Sequence, residues 1–234
     1  MSPSTGPSSD SAGRVFLLSP ANCSGRRAQQ TLALHAQSSL ATKLRGLGGV
    51  PIGELFAYMS GLYFKGKLTY AQRFAAPPDL ANPIVGRGVH VITPNAGLRG
   101  PDTPVTADAV RAFAAAAVDP SNESYRRPLE QSARLLLDEI GDCEVVLLGS
   151  IASPKYVDIL LAIFGSRLCF PIDFVGRGDM SRGGLLLRQA AAGVELEYAP
   201  VAGAVRHGRR PPKLPPLRGG SVEAGHSRRT RSSR

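Results

Sequence analysis

Arginine, lysine and small polar residues recur in four loops of this sequence, a combination suited to binding an anion. The loops span residues 19–27, 93–102, 149–156 and 176–184. Glycine-rich turns that lead into a helix present free backbone N–H groups and the positive end of the helix dipole. Arginine adds paired donors that match phosphate and carboxylate geometry. The predicted ligand-binding residues are Arg26, Arg27, Asn95, Ser150, Lys155, Gly176, Arg177, Gly178, Ser181 and Arg182.

The loop "GRGDMSRGG" at residues 176–184 follows an apolar run and precedes a helical pattern. It fits neither the GxGxxG fingerprint nor the phosphate loop, because the phosphate-binding lysine is missing. We expect Asp179 or Ser181 to cap a helix that starts near Gly183, either as a cap alone or as a cap that also contacts the ligand. A cell-adhesion role for the Arg-Gly-Asp tripeptide is not favoured, since the sequence shows no secretion signal.

Two residues in these loops are candidates for chemistry. Cys23 follows the first apolar run, and the charges of Arg26 and Arg27 are expected to lower the pKa of its thiol. Asp179 is the second candidate, as a general acid or base. The histidines lie outside the loops and no two cysteines share CxxC spacing, so no metal site is indicated. The sequence does not identify a cofactor.

The segment "SGLYFKGKLTYAQRF" at residues 60–74 interleaves aromatic and basic residues. Tyr63, Lys65 and Lys67 are predicted to form a flanking surface that stacks on bases and contacts phosphates. The alternative is that the apolar residues of this segment form a packed face while both lysines are solvated.

Short apolar runs alternate with helix-like segments along most of the chain. The runs are residues 14–19, 89–93, 144–149, 167–172 and 195–200. The helical segments are residues 26–46, 52–60, 66–75, 106–118, 128–140, 153–164 and 183–191, with Pro128 expected to open the fifth. This alternation predicts an α/β fold with an open, mostly parallel twisted sheet of about five strands and helices on both faces. Ligands bind beyond the carboxyl ends of such strands, so we expect the four loops to meet there.

The positive charge of the chain is concentrated near its carboxyl end. The formal net charge is +10, and residues 205–234 carry nine Lys or Arg residues against one acid. We expect a disordered N-terminus at residues 1–12, a single α/β domain at 13–202 and a disordered Pro/Arg-rich basic tail at 203–234. The tail either contacts nucleic-acid phosphates, presents "PPKLPPLR" to a polyproline-binding partner, or is solvated without a dedicated partner.

Membrane association is not expected. No apolar run approaches the roughly 18 residues that a membrane helix needs. The first residues lack the basic and apolar regions of a secretory signal. The expected location is therefore cytoplasmic.

The order of motifs resembles the YaaA-like superfamily of largely uncharacterised bacterial α/β domains. The matching motifs are "FLLSPANCSGRR", "GLYFKGKLTYAQRF", "VHVITPNAGLRGPD", "VVLLGSIASPKYVDILL" and "FPIDFVGRGDMSRGGLLLR", across residues 14–190. The sequence departs from the family pattern in its first loop, which has arginines where lysines are usual, and at "TPNAGL". The resemblance implies an α/β domain with nucleotide-related or nucleic-acid-related roles and no settled reaction.

The sequence is compatible with three functions. The first is binding of an anionic ligand, a nucleotide or nucleic-acid component, at the carboxyl edge of the sheet. The second is an enzyme that acts on a small phosphorylated or carboxylated metabolite through Cys23 or Asp179. The third is an interaction protein that acts through its Pro/Arg tail.

Overall fold

The computed structural model of the chain describes residues 13–33, 35–206, 208–209 and 211–212. The predicted tail at residues 1–12 lies outside the described residues. Most of the predicted basic tail, including the polyproline-type segment beyond residue 212, lies outside them as well.

The strands and helices follow the predicted alternation. The strands are β1 (Arg14–Leu18), β2 (Val50–Pro51), β3 (Val89–Ile92), β4 (Leu98–Arg99), β5 (Pro104–Val105), β6 (Glu144–Leu148), β7 (Leu168–Pro171) and β8 (Tyr198–Pro200). The helices are α1 (Arg26–Leu32), α2 (Ser39–Arg45), α3 (Ile52–Ser60), α4 (Leu62–Phe74), α5 (Ala107–Ala115), α6 (Glu123–Glu139), α7 (Pro154–Phe164) and α8 (Asp179–Ala192). Short 3-10 turns flank β7 at Gly165–Arg167 and Ile172–Phe174.

Six strands form one sheet in the order β4-β3-β1-β6-β7-β8. The four central strands are parallel, and the edge strands β4 and β8 are antiparallel to their neighbours. The predicted α/β class, with a mostly parallel sheet and surrounding helices, is therefore confirmed. The short strands β2 and β5 form a separate two-stranded ladder.

The two faces of the sheet bury two different sets of apolar residues. Along β1, Phe16 and Leu18 belong to one cluster, while Val15 and Leu17 belong to the other. This alternation follows from the two-residue period of a strand. Helices α1 to α5 and α8 pack on the Phe16 face, and α6 and α7 pack on the Val15 face. Consequently β1 is buried on both sides, as its unbroken apolar sequence predicts.

Helices α4 and α8 approach each other through two glycines. A Cβ atom placed on Gly66 would lie 2.6 Å from the carbonyl oxygen of Gly183, and one placed on Gly183 would lie 2.7 Å from that of Leu62. No side chain fits at either position, so the backbones are in direct contact. This contact fixes the height of α4 against the sheet, and with it the position of the α4 side chains.

Three predicted helix boundaries are wrong. The segment 26–46 forms two helices instead of one, because the chain is extended at Ala33. Pro128 does not open α6; the helix begins at Glu123 and Asn122 caps it by accepting a bond from Ser124 N, so Pro128 lies inside. Helix α4 begins at Leu62 instead of residue 66.

The start of α8 also differs from the prediction. The helix begins at Asp179, its N-cap residue is Gly178, and no side chain caps it. The predicted cap by Asp179 or Ser181 is therefore wrong. Asp179 lies in the first turn, where a carboxylate interacts favourably with the helix dipole. Within the described part of the chain, no helix has the length and apolar character needed to cross a membrane.

Candidate functional site

A cavity of about 520 Å³ opens at the carboxyl ends of β1 and β6. Three of the four predicted loops contribute to it, namely the loops after β1, β3 and β6. Its polar lining includes Ser19, Asn22, Ser24, Ser150, Ser153, Lys155 and Tyr156. Its apolar lining includes Pro94, Phe113, Ala116 and Val118. The cavity thus combines hydroxyl and amide groups and a cation with an apolar surface.

Three of the predicted site residues line this cavity: Cys23, Ser150 and Lys155. Lys155 is exposed in the first turn of α7, next to the N-cap Ser153, whose hydroxyl accepts a bond from Lys155 N at 3.5 Å. Local sequence explains this placement, because serine followed by proline favours the first turn of a helix.

A buried lysine lies directly beneath the cavity. The Nζ atom of Lys67 is 2.6 Å from the carbonyl oxygen of Ser19 and 2.8 Å from Ser19 Oγ. Lys67 is only 1% exposed and Ser19 is 7% exposed. The ammonium also lies 4.5 Å from the Tyr63 ring centroid and 4.7 Å from that of Phe64. Ser19 therefore separates Lys67 from the cavity.

Lys67 lacks the carboxylate partner that a buried cation normally requires. Among the described residues, no Asp or Glu lies within ion-pairing distance of its Nζ atom. Burial lowers the pKa of Lys67 to about 7, the charge of Asp179 raises it, and that of Arg182 lowers it further. A substantial fraction of Lys67 is consequently a neutral amine near pH 7.

Tyr156 completes the polar cluster beside Ser19. Its hydroxyl accepts a bond from Ser150 N at 3.0 Å and hydrogen-bonds with the Ser19 side chain. Burial raises the pKa of Tyr156, so its hydroxyl keeps its proton. A Cβ atom on Gly149 would lie 2.8 Å from Tyr156 Oη and 3.2 Å from Ser19 Oγ, so a glycine is required at this point. We call Ser19, Tyr63, Lys67 and Tyr156 the Lys67 cluster.

Cys23 differs from its predicted behaviour. Its side chain is buried, and its Sγ atom contacts the carbonyl oxygen of Ala21 at 3.7 Å. Burial raises the pKa of the thiol to about 12, whereas the sequence predicts that Arg26 and Arg27 lower it. The arginine side chains are exposed, so desolvation dominates over their screened charges.

The arginines of the last loop make structural contacts outside the cavity. Arg182 is buried, and its guanidinium donates to the carbonyl oxygen of Phe174 at 3.0 and 3.2 Å. Arg177 donates to the carbonyl oxygen of Asp173 at 2.8 Å. Asp179 lies 3.6 Å from Arg182 as an ion pair. These groups hold the β7–α8 connection together, and they do not line the cavity.

The rest of the "GRGDMSRGG" loop is also occupied by protein contacts. The backbone of Arg209 covers Gly176, where a Cβ atom would lie within van der Waals overlap of the Arg209 carbonyl. Ser181 accepts a long bond of 3.4 Å from Arg177. Gly178 is the N-cap of α8. The loop is thus a packed connection to α8.

The remaining predicted residues lie away from the cavity lining. Arg27 donates to the carbonyl oxygen of Tyr58 at 3.0 Å. Arg26 is exposed on the first turn of α1, and Asn95 is half-buried in the turn between β3 and β4.

The predicted flanking surface of Tyr63, Lys65 and Lys67 is wrong for two of its three members. Lys65 is exposed, but Tyr63 and Lys67 are buried. The alternative, with both lysines solvated, is wrong for Lys67 as well. The reason is helical geometry: residues four apart share a face, and Tyr63 and Lys67 point towards the sheet while Lys65 points away.

Sequence reasoning missed Ser19, Tyr156 and the burial of Lys67. A signal for the lysine is present, since Tyr63, Lys67, Tyr70 and Phe74 form one helical stripe of large side chains. A lysine inside such a stripe predicts a buried amine. Ser19 lies in the first candidate loop, but the sequence does not distinguish it from other loop serines, because its contact with Lys67 exists only in the folded chain.

Comparisons with known proteins found no matching family model, no matching curated protein and no matching solved structure.

Proposed function

We propose that the chain binds an anionic small molecule in the cavity at the carboxyl ends of β1 and β6, a nucleotide being the best fit. The observation that carries the proposal is the charge of the lining. Lys155 is the one charged side chain among the described residues that line the cavity, and no carboxylate lines it. A cation surrounded by hydroxyl groups favours an anion.

The volume and the lining of the cavity favour a ligand with both an anionic and an apolar part. The volume of about 520 Å³ is that of a small-molecule site. Lys155, Ser150 and Ser153 offer donors for a phosphate group. Pro94 and Phe113 offer apolar surface for a base.

Lys155 has a nearby acid that does not line the cavity. The charge of Lys155 contributes to lowering the pKa of Asp119, whose main cause is the hydrogen bond from the Ser121 side chain. Lys155 and Asp119 do not form an ion pair within the described part of the chain. Lys155 is therefore available to a ligand.

Titration calorimetry on the full chain tests the proposal with ADP, pyrophosphate and adenosine. ADP and pyrophosphate are expected to bind, and adenosine more weakly, because the phosphates interact with Lys155. Lys155→Gln is expected to weaken ADP binding roughly 10-fold or more, the value of a lost charge-assisted hydrogen bond. Lys65→Gln is the matched control, since Lys65 is also an exposed lysine and lies outside the cavity.

The result that would overturn this assignment is ADP binding that Lys155→Gln leaves unchanged. If Arg26→Gln or Arg177→Gln weakened binding instead, the anion would lie at the loops that the sequence indicates. Binding of a single-stranded oligonucleotide without any binding of ADP would favour the nucleic-acid role that the YaaA-like resemblance implies, which stays a prediction.

A further inference from the structure

The Lys67 cluster places a serine at a ligand-sized cavity and a buried amine beside that serine. Ser19 lines the cavity, and its Oγ atom lies 2.8 Å from Lys67 Nζ. This distance is within the range at which a general base removes a proton from a nucleophile. The serine–lysine arrangement is a known alternative to the Ser-His-Asp triad.

We propose that Ser19 is a nucleophile and Lys67 its general base, in an acyl-transfer or hydrolysis reaction at the carboxyl end of β1. This inference goes beyond the proposed function and does not depend on it, because it requires only that an acyl group reach Ser19. The substrate class is an ester or thioester that fits the cavity.

The buried position of the lysine favours the role of a base. A protonated Lys67 would donate to both oxygens of Ser19. A neutral Lys67 donates one N–H to the Ser19 carbonyl oxygen, 2.6 Å away, and directs its lone pair at the Ser19 hydroxyl proton. The second arrangement is the one that activates a serine.

The charged and titratable groups around Lys67 come from several elements. Tyr63 lies on its own helix, Tyr156 reaches Ser19 from α7, and Asp179 and Arg182 act on Lys67 from α8. Asp179 is 69% exposed at its side chain and pairs with Arg182. Solvent thus screens the Asp179 carboxylate, which would favour the ammonium form.

The reaction balances without a cofactor. Ser19 Oγ attacks the carbonyl carbon, its proton moves to Lys67 Nζ, and the carbonyl electron pair moves to oxygen. The tetrahedral intermediate collapses, the bond to the leaving alkoxide or thiolate breaks, and that group takes the proton from Lys67. Water then attacks the acyl-Ser19 ester and gives a proton to Lys67, which returns it to Ser19 Oγ as the carboxylic acid leaves.

Covalent labelling of the full chain with a tagged fluorophosphonate tests the nucleophile directly. Ser19 Oγ would displace fluoride from phosphorus, and peptide mass spectrometry would locate the adduct. We expect one adduct per chain, on Ser19, and no adduct in Ser19→Ala. Ser124→Ala is the matched control, because the exposed Ser124 hydroxyl donates to Asn122 at 2.8 Å outside the cavity and is expected to leave labelling unchanged.

The pH dependence of labelling tests the base in the unaltered protein. The rate is expected to rise about tenfold per pH unit below pH 7 and to level off above it, because the neutral amine is the active form. In Lys67→Met, the rate at pH 8 is expected to fall at least 100-fold if circular dichroism shows a native fold. The wild-type profile decides the question even if that variant does not fold.

Turnover of p-nitrophenyl butyrate provides a second probe. We expect a burst of one p-nitrophenolate per chain followed by slower turnover, both lost in Ser19→Ala. Absence of both the fluorophosphonate adduct and the burst in folded wild-type protein would overturn the proposal. A labelling midpoint above pH 9, or labelling that persists in Ser19→Ala, would overturn the assignment of Lys67 or Ser19, respectively.

Discussion

Each end of β1 has a cation that is at least partly buried, Arg14 at the amino end and Lys67 at the carboxyl end. The two cations differ in the groups that surround them. At the amino end, Arg14 donates to Glu144 Oε2 at 2.8 and 3.0 Å and pairs with Glu195 at 2.5 Å. The guanidinium also lies 4.8 Å from the Tyr198 ring centroid. At the carboxyl end, Lys67 contacts only hydroxyl, carbonyl and aromatic groups among the described residues.

The amino end is a closed network. Tyr198 donates to Glu195 at 2.8 Å and hydrogen-bonds with Tyr70 at 2.6 Å, and Tyr70 accepts from Leu196 N at 2.7 Å. Every polar group named here has a partner inside the protein. Such a network stabilises and orients β8 and the segment before it, and leaves no group for a ligand.

The groups around each cation decide whether it has a structural or a chemical role. Two carboxylates keep Arg14 charged and fixed. Burial lowers the pKa of Lys67, and among the described residues no ion-paired carboxylate offsets this, so the lysine shifts towards a neutral amine. Helix α4 links both ends, since it supplies Lys67 at one end and Tyr70 at the other.

The largest expected effect on the free energy of unfolding comes from a substitution that displaces α4, because α4 contributes to both ends of β1. Gly66→Ala places a methyl group against the Gly183 carbonyl oxygen, and we expect it to lower the free energy of unfolding by about 3 kcal/mol. Urea denaturation measures this. Gly184→Ala is the control: its nearest atom is 4.0 Å away, so it is expected to be neutral or stabilising by up to about 1 kcal/mol. Equal effects of the two changes would contradict the close α4–α8 contact.

A smaller effect is expected from breaking the amino-end network alone. Arg14→Met leaves Glu144 and Glu195 without their cation, so we expect a loss of about 2 kcal/mol in the free energy of unfolding. Arg111→Met is the matched change, because the Arg111–Asp108 pair is exposed; it is expected to cost less than about 0.5 kcal/mol. Thermal and urea unfolding of both variants would show the difference. A loss in Arg14→Met as small as that in Arg111→Met would contradict a stabilising role.

The smallest effect at pH 7 is expected from removing the cation at the carboxyl end. Lys67→Met is expected to change the free energy of unfolding by less than about 1 kcal/mol, because it removes an uncompensated buried amine. The pKa of Lys67 in the folded state, about 7, lies below its usual 10.5, so the unfolded chain binds more protons between these values. Wild-type stability should therefore rise relative to the variant by about 2 kcal/mol from pH 7 to pH 9. Parallel urea titrations check this, and identical pH profiles would argue against a neutral Lys67.

Much of the fold is readable from the sequence. The five predicted apolar runs correspond to β1, β3, β6, β7 and β8. The first four are buried strands, and strands covered on both faces need largely apolar residues. The fifth, β8, is a partly exposed edge strand. The antiparallel β4 was not predicted; it has only two residues, too few for a pattern. The start of α6 was also predicted wrongly. Proline favours the first position of a helix, but Asn122 caps α6 before Pro128 is reached, so Pro128 lies inside the helix.

Only part of the candidate site can be predicted from the sequence. Lys155, Ser150 and Cys23 follow buried strands and line the cavity, as loops after parallel strands do. Arg177 and Arg182 of the last loop are predicted on the same grounds. In the structure, however, they donate to the carbonyl oxygens of Asp173 and Phe174. Composition does not distinguish a guanidinium that binds a ligand from one that binds its own backbone.

Patterns a few residues long are sufficient to predict the alternation of the main strands and helices and the sheet edge at which three of the four candidate loops meet. The position of Lys67 beneath Ser19, 48 residues away in the chain, follows only from the tertiary structure. That pairing depends on the glycine contact between α4 and α8 and on burial against the sheet. The chemical character of the lysine follows from this burial, since desolvation is a property of the packed surroundings.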